Sequence, residues 1–256
     1  MIDVHCHILP SVDDGSKDME TSIEMAKIAY EDGIRKIIAT PHYYRGYFEN
    51  KFCDVKAKVK ELNEELKNRE IQIEVIEGQE IFLDSHTLEM FKKGDIGPIN
   101  NKKYMLLELD FAKFQKSAIE TLYELKIKGI TPIIAHPERY MYFWKDIREI
   151  NYLIEEGCLF QINAGSITGL YGKEAQKTAK ILIEKGICNF LGTDAHSVGR
   201  RKPKLKEAYS WVEENHRDMY LKLLENAENL INGKDIELNN KKIEEKKGFL
   251  RKIFGR

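Results

Sequence analysis

Gly129-Ile130-Thr131-Pro132-Ile133-Ile134-Ala135-His136 places a helix stop, a β-branched apolar run and an imidazole in direct succession. A glycine after the helix-like stretch Ser117–Lys128 suits a left-handed C-cap, because it reaches positive φ with no Cβ to clash. The run that follows is short, apolar and β-branched, which is the signature of a strand. His136 then stands at that strand's C-terminal end. The same order of glycine, apolar residue and strand recurs after Gly33, Gly157 and Gly186.

Working outward, strands are predicted over Ile2–His7, Arg35–Thr40, Gln72–Gln79, Tyr104–Leu109, Thr131–His136, Cys158–Asn163 and Ile187–Thr193. Helical patterns lie between them, at Asp18–Asp32, Asp54–Arg69, Ser117–Lys128, Lys145–Glu156 and Lys173–Lys185. Alternating β and α elements imply an α/β protein with a parallel sheet. Seven such units in about 200 residues suggest a closed barrel of TIM type, one unit short. An open doubly wound sheet is the alternative. Two segments break the rhythm. Thr40–Phe52 is expected to be a loop carrying Tyr43, Tyr44, Tyr47 and Phe48. The end, residues 241–256, sets Lys241, Lys242, Lys246, Lys247, Arg251, Lys252 and Arg256 against Glu244 and Glu245.

The 256 residues suit one large α/β domain or two small ones and suffice for a sizeable core. A net charge of −1 gives no global electrostatic case for nucleic acid. No apolar run approaches a membrane span. Asp3 sits where a signal peptide would carry basic residues, so a cytoplasmic protein is expected. Cys6, Cys53, Cys158 and Cys188 form no C-x-x-C pair, which speaks against structural zinc and redox motifs.

Potential metal ligands cluster at the strand ends. In His5-Cys6-His7, alternation on a strand turns both imidazoles to one side. His42 follows the second strand and Glu80 the third. Glu108 ends the fourth, His136 the fifth, and Asp194 and His196 the seventh. In a barrel these ends converge on one face, where active sites sit. A carboxylate or imidazole placed there on six of seven strands is hard to explain by core packing, since burying such groups unpartnered is costly. Asp14, in Val12-Asp13-Asp14-Gly15, is equally suited to a turn or a helix cap, and spacing leaves Asp13 as its rival. Five histidines and four carboxylates exceed one structural zinc site, which closes at four ligands. Two or three divalent ions fit better, and the carboxylate share favours manganese, iron or zinc over copper. Such a cluster suits phosphoester hydrolysis. Arg139, three residues beyond His136, and Arg200 and Arg201, four and five beyond His196, are candidate phosphate ligands. His86 and His216 lie in helical stretches and are taken as structural or surface residues.

Taken together, His5-Cys6-His7, Asp14, Thr40-Pro41-His42, Gly78-Gln79-Glu80, Glu108, Ala135-His136-Pro137-Glu138-Arg139-Tyr140 and Thr193-Asp194-Ala195-His196 resemble the polymerase-and-histidinol-phosphatase (PHP) superfamily. Within it the chain is most similar to the manganese-dependent protein-tyrosine phosphatases of bacterial capsule and exopolysaccharide loci. Ile2-Asp3-Val4-His5-Cys6-His7-Ile8-Leu9-Pro10, Val12-Asp13-Asp14-Gly15 and Ile130–Tyr140 carry that closer likeness.

The resemblance implies a distorted (β/α)7 barrel, the PHP fold, over residues 1–240, followed by the basic tail 241–256. It implies that Asp14 joins His5, His7, His42, Glu80, Glu108, His136, Asp194 and His196 in holding two or three ions, most often manganese. Glu80 and Glu108 would bridge, with His5, His7, His136 and Asp194 completing one pair. Asp14, His42 and His196 would hold a third ion. The nucleophile would be a metal-bound hydroxide, and His42 or His196 would assist the leaving phenolate. Arg139 and Arg201 match phosphate-binding arginines, with Arg200 adjacent to the second. The implied substrate is the phosphorylated C-terminal tyrosine cluster of a membrane-associated bacterial tyrosine kinase.

The tail, with Phe249, Leu250, Ile253 and Phe254, reads as a solvated segment or a peripheral membrane contact. The aromatic loop suits a planar substrate ring or a homo-oligomer contact. A cysteine-dependent tyrosine phosphatase needs C-x5-R, but six residues after the four cysteines stand Val12, Val59, Ala164 and Asp194. Rival readings are a small-molecule phosphatase of the histidinol-phosphate type, a PHP exonuclease, and a scaffold with a purely structural cluster.

Overall fold

The computed structural model describes residues 1–238 and 241–244. The strands are β1 (Ile2–Cys6), β2 (Lys36–Ala39), β3 (His42–Tyr44), β4 (Phe48–Glu49), β5 (Glu74–Glu77), β6 (Glu80–Phe82), β7 (Tyr104–Glu108), β8 (Thr131–Ala135), β9 (Leu159–Asn163) and β10 (Phe190–Gly192). The α-helices are α1 (Met19–Glu31), α2 (Phe52–Asn68), α3 (Thr87–Lys93), α4 (Ser117–Ile127), α5 (Met141–Lys145), α6 (Asn151–Glu155), α7 (Ala164–Ile167), α8 (Lys173–Glu184), α9 (Lys206–Asn215) and α10 (Arg217–Asn232).

Local chemistry sets these bounds. Asp18 caps α1 by accepting a hydrogen bond from the Thr21 amide at 2.8 Å. In α8, Ala175, Thr178, Ala179, Leu182 and Ile183 recur at helical spacing and form its buried stripe. Gly33, Gly129, Gly157 and Gly186 all adopt positive φ just past a helix, as expected from the sequence.

The strands order as β1-β2-β5 in one sheet and β10-β9-β8-β7-β6-β3-β4 in the other. All pairings are parallel except the β3–β4 hairpin. β2 runs through Thr40-Pro41 into β3, and β5 runs through Gly78-Gln79 into β6. Each pair is one strand line broken in the middle. Read that way, neighbours run β1, β2/β3, β5/β6, β7, β8, β9, β10, which makes seven lines. The seam between β10 and β1 is held by a single bridge, Cys6–Ala195, with the His7 amide donating to the Ala195 carbonyl at 2.9 Å and the Asp194 amide to the His5 carbonyl at 2.7 Å.

Two apolar clusters confirm the layering. Ile2, Val4, Ile38, Ile76, Tyr104, Leu106, Ile133, Leu159 and Phe190 fill the space ringed by the strands, and Ala227, Leu230 and Ile231 of α10 plug it from below. Met105, Leu107, Ile134, Phe160 and Leu191 face outward into the larger cluster shared with the helices. Each fully buried aliphatic side chain of this kind contributes about 1.5–3 kcal/mol.

Two expectations change. Thr40–Phe52 is not all loop, because His42–Tyr44 pairs with β6 and with Phe48–Glu49. Lys145–Glu156 is not one helix. Asp146, with φ −144° and ψ 99°, interrupts it and its carboxylate takes the Arg148 amide, leaving a 3₁₀ turn at Ile147–Ile150 before α6. Of the basic tail, only Lys241–Glu244 is described. The Ile243 amide donates to Asn151 Oδ1 at 2.8 Å, and Lys242 pairs with Glu155. Glu245, Lys246, Lys247, Phe249, Leu250, Arg251, Lys252, Ile253, Phe254 and Arg256 lie outside the described residues. Among those described, no helix is long and apolar enough to cross a membrane.

Candidate metal centre

Each strand line carries an apolar floor and a polar top. On β7 the inward side chains run Tyr104, Leu106, Glu108. On β9 they run Leu159, Gln161, Asn163, and on β10 Phe190, Gly192 and then Asp194 just beyond. β1 would break this rule if it were regular, because Ile2, Val4 and Cys6 would share a face. Its register against β2 gains one residue between Asp3 and Cys6. That bulge reverses the alternation, so Cys6 points outward while His5 and His7 stand inward above Val4. At the other ends the chain turns sharply. His136 has φ +31° and Asp194 φ +52°, left-handed conformations that non-glycine residues adopt only where surrounding structure enforces them.

All nine predicted ligands meet. One buried group joins His5, His7, Glu80 and Asp194; a second joins His7, Asp14, His42 and His196; a third joins His42, Glu80 and Glu108. Donor atoms within each group lie within 4.8 Å of one another. Glu80 links the first and third groups. Its Oε2 lies 3.2 Å from His5 Nε2, 3.1 Å from His7 Nε2 and 3.2 Å from His42 Nδ1. His136 falls outside these groups but sets its Nε2 2.8 Å from Glu80 Oε1 and 3.5 Å from Glu108 Oε1. Asp13 and Asp14 separate cleanly. Asp13 Oδ2 accepts from His7 Nδ1 at 2.7 Å, behind the ring, and from the His42 amide at 3.0 Å. Asp14 Oδ1 faces His42 Nε2 at 3.5 Å and His196 Nε2 at 3.4 Å.

The electrostatics are those of a cluster under tension. Burial opposes charge on His5 and His7, but Glu80 and Asp194 around the first, and Asp13 and Glu80 around the second, outweigh it and raise both imidazoles. Burial and then the Arg139 charge push His136 down to about 4. Burial, with the charges of Glu80 and Asp194, lifts Glu108 well above the carboxylate range. Burial acts on Glu80 in the same sense, but His5, His42 and the His136 hydrogen bond hold it well below. Carboxylates forced together raise one another's pKa unless a cation intervenes. A divalent ion would relieve Glu108, and its preferred hard oxygen and imidazole donors are those present. The residues therefore fit a multinuclear metal centre.

Two guanidinium groups stand over it. Arg139 Nη1 lies 2.7 Å from Asp194 Oδ2, and Arg201 Nη2 lies 2.7 Å from Asp194 Oδ1. Tyr171 sits between them, its ring 4.6 Å from the Arg139 guanidinium carbon and 5.8 Å from that of Arg201. Arg200 turns away and donates to the Leu170 carbonyl at 3.2 Å. Aromatic rings edge the opening: Phe48 stacks on His42 at 5.8 Å and Phe111 on His136 at 5.5 Å.

The family described as capsular polysaccharide synthesis, CpsB/CapC, matches residues 1–232. The chain belongs to the CpsB/CapC family. Tyrosine-protein phosphatase YwqE of Bacillus subtilis is 38% identical over 241 residues, which cover 92% of this chain and 93% of that one. Putative tyrosine-protein phosphatase CapC of Staphylococcus aureus is 33% identical over 82% of each chain. A crystal structure from work on YwqE and Streptococcus pneumoniae CpsB, described as unique metal-dependent tyrosine phosphatases, superposes with a TM-score of 0.91. It is 35% identical and covers 96% of this chain and all 100% of that one. A histidinol phosphate phosphatase from Lactococcus lactis shares the fold, with a TM-score of 0.54 at 15% identity over 86% of this chain and 92% of that one.

Sequence reading of this CpsB/CapC chain missed three contributors and held a fourth, Asp13, only as a rival to Asp14. Gln161 and Asn163 of β9 touch His5 and Asp194. Asp13 backs His7. Glu138, fully buried and raised by burial to about 7, accepts from the Asn163 amide and the Ser166 hydroxyl. The period of two on β9 was enough to find Gln161 and Asn163, since they continue the inward face begun by Leu159. Of the four thiols only Cys53 is exposed; Cys6, Cys158 and Cys188 are buried, and burial pushes the pKa of each of these three up.

Proposed function

We propose that this protein is a metal-dependent protein-tyrosine phosphatase acting, in the cytoplasm, on phosphotyrosines in the C-terminal cluster of a bacterial tyrosine kinase that regulates capsule or exopolysaccharide synthesis. The observation that carries the reading is the pair Arg139 and Arg201, poised on Asp194 directly above nine converging ligands. The names of the CpsB/CapC relatives support the tyrosine substrate over histidinol phosphate. Residues 1–240 are assigned to the phosphatase barrel and 241–256 to an accessory tail.

His5, His7, Asp14, His42, Glu80, Glu108, His136, Asp194 and His196 would hold two or three divalent ions, manganese by preference and iron or zinc as alternatives. When bound, such ions would supply an activated water and neutralise phosphoryl charge. Arg139 and Arg201 grip the phosphoryl oxygens, for which a planar guanidinium is suited. Phe48 and Phe111 flank the substrate ring. His42 and His196 lie nearest the solvent side of the cluster and steady or protonate the departing phenolate. That demand is modest because a phenol's pKa of about 10 makes it a good leaving group.

The test is a substrate panel with manganese: phosphotyrosine peptide, phosphoserine peptide and histidinol phosphate. Turnover is expected mainly on the first, abolished by EDTA and retained after iodoacetamide. Preferred turnover of histidinol phosphate, or the reverse inhibitor pattern, would refute the reading. His136→Ala is expected to lose both activity and bound metal.

A further inference from the structure

β9 is the strand line that brings no metal ligand, yet above Leu159 its inward side chains are fully buried amides rather than apolar groups. Gln161 and Asn163 are both 0% exposed. Buried amides are kept only where every donor and acceptor is used, and here they form one continuous chain. His5 Nδ1 lies 2.8 Å from Gln161 Oε1. Gln161 Nε2 donates to Asn163 Oδ1 at 2.8 Å, and Asn163 Nδ2 donates to Asp194 Oδ2 at 2.8 Å.

The polarity of this chain is fixed from one end. Arg139 Nη1 and Arg201 Nη2 each lie 2.7 Å from one Asp194 oxygen. A guanidinium only donates, so both oxygens accept. Asn163 must therefore turn its NH₂ to Asp194 and its oxygen to Gln161. Gln161 must turn its NH₂ to Asn163 and its oxygen to His5. The Gln161 oxygen also takes the His136 amide at 3.4 Å, which agrees with that orientation. The last link then puts a proton on His5 Nδ1, so Nε2 is the nitrogen turned inward, 3.2 Å from Glu80 Oε2. At the far end, Asn163 and Arg139 both donate to Asp194 Oδ2, while Oδ1, which takes Arg201 Nη2 at 2.7 Å, is the oxygen turned toward His5 and His7, at 3.6 Å from each Nε2.

We propose that Gln161 and Asn163 are positioning residues: one polarised amide relay that selects the donor atom of His5 and of Asp194 together. The inference rests on the metal-centre reading above. It gives Gly192 a reason as well. A Cβ there would lie 2.6 Å from His5 Cβ and 3.0 Å from Gln161 Nε2, so β10 must leave room for the relay. Groups that orient metal ligands from behind typically matter by 10–100-fold in metal affinity.

The experiment measures metal dissociation constants by chelator competition on the full chain. It compares wild type with Gln161→Leu, Asn163→Ala, the double variant, and Gln72→Leu on the surface as control, and melts each protein in EDTA. Each relay variant is expected to bind manganese about 10–100-fold more weakly. The double variant should lose little beyond the larger single loss, because breaking one chain twice breaks it once. Affinities within twofold of wild type, or losses that multiply in the double variant, would overturn the relay. If Gln161→Leu does not fold, Asn163→Ala carries the same test, because the space it opens leaves the backbone bond to Glu138 intact. Wild type that binds no divalent ion would instead sink the metal-centre reading itself.

Discussion

The broken strand lines β2/β3 and β5/β6 and the unbroken lines β7 and β8 deliver their ligands in opposite ways. On β7 and β8 the ligand is where the strand ends: Glu108 closes β7, and His136 follows β8 in a left-handed turn. On the broken lines the ligand opens the second segment, and His42 and Glu80 are directly paired across the sheet. A break lets the chain step forward and resume. That puts Glu80 deep among four histidines, while Glu108 touches only the cluster's edge. Rigid ends supply direction; breaks supply reach.

The largest test of that contrast is Glu80→Gln against Glu108→Gln. Glu80→Gln is expected to lower kcat about a thousandfold, or roughly 4 kcal/mol of barrier, and Glu108→Gln about tenfold. Equal losses in steady-state assays would erase the distinction. Next is the break itself. A Cβ on Gly78 would sit 2.8 Å from Ile38 Cγ2 and 3.2 Å from the Ala39 carbonyl. Gly78→Ala should cost about 1–3 kcal/mol as an overpacked site. The control Ile133→Val on unbroken β8 should cost about 0.5–1.5 kcal/mol. Thermal melts compare the two, and a larger loss on β8 would mean the break is not a tight feature. The smallest effect is expected at the hairpin that the broken line carries. Phe48→Ala should raise KM for a phosphotyrosine peptide about 3–10-fold with kcat nearly unchanged, as loss of a ring contact of about 0.5–1.5 kcal/mol predicts. A fall in kcat instead would place Phe48 in support of His42 rather than in substrate binding.

The same contrast explains what was legible in the sequence. β7, β8 and their ligands follow from local pattern alone: a glycine cap, an apolar run and a polar end are contiguous at β8, and an apolar run ends directly in Glu108 at β7. His42 and Glu80 were found as residues, but their strands were not. A segment of three residues paired to another segment of three carries too little periodicity, and its stability comes from partners distant in sequence. The bulge in β1 was invisible for a related reason. Simple alternation gave the right faces for His5 and His7 relative to each other, but only the register against β2 shows why Val4 and His5 both point inward. Asp13 and Asp14 could not be told apart by spacing, because the turn that sends one behind His7 and the other toward His196 is set by tertiary contacts.

The seam between β1 and β10 has a consequence for the order of events when the chain is made. Asp3 and Thr193, which stitch it, are 190 residues apart, and the pairs that surround Glu80 come from both sides of it. Contacts of such separation are the slowest to form, since the intervening loop must be closed first. A ribosome-bound chain carrying β1 through β9 would hold His5, His7, Glu80 and Glu108 without Asp194 or His196. The fold thus delays completion of its reactive centre until the last strand has left the exit tunnel.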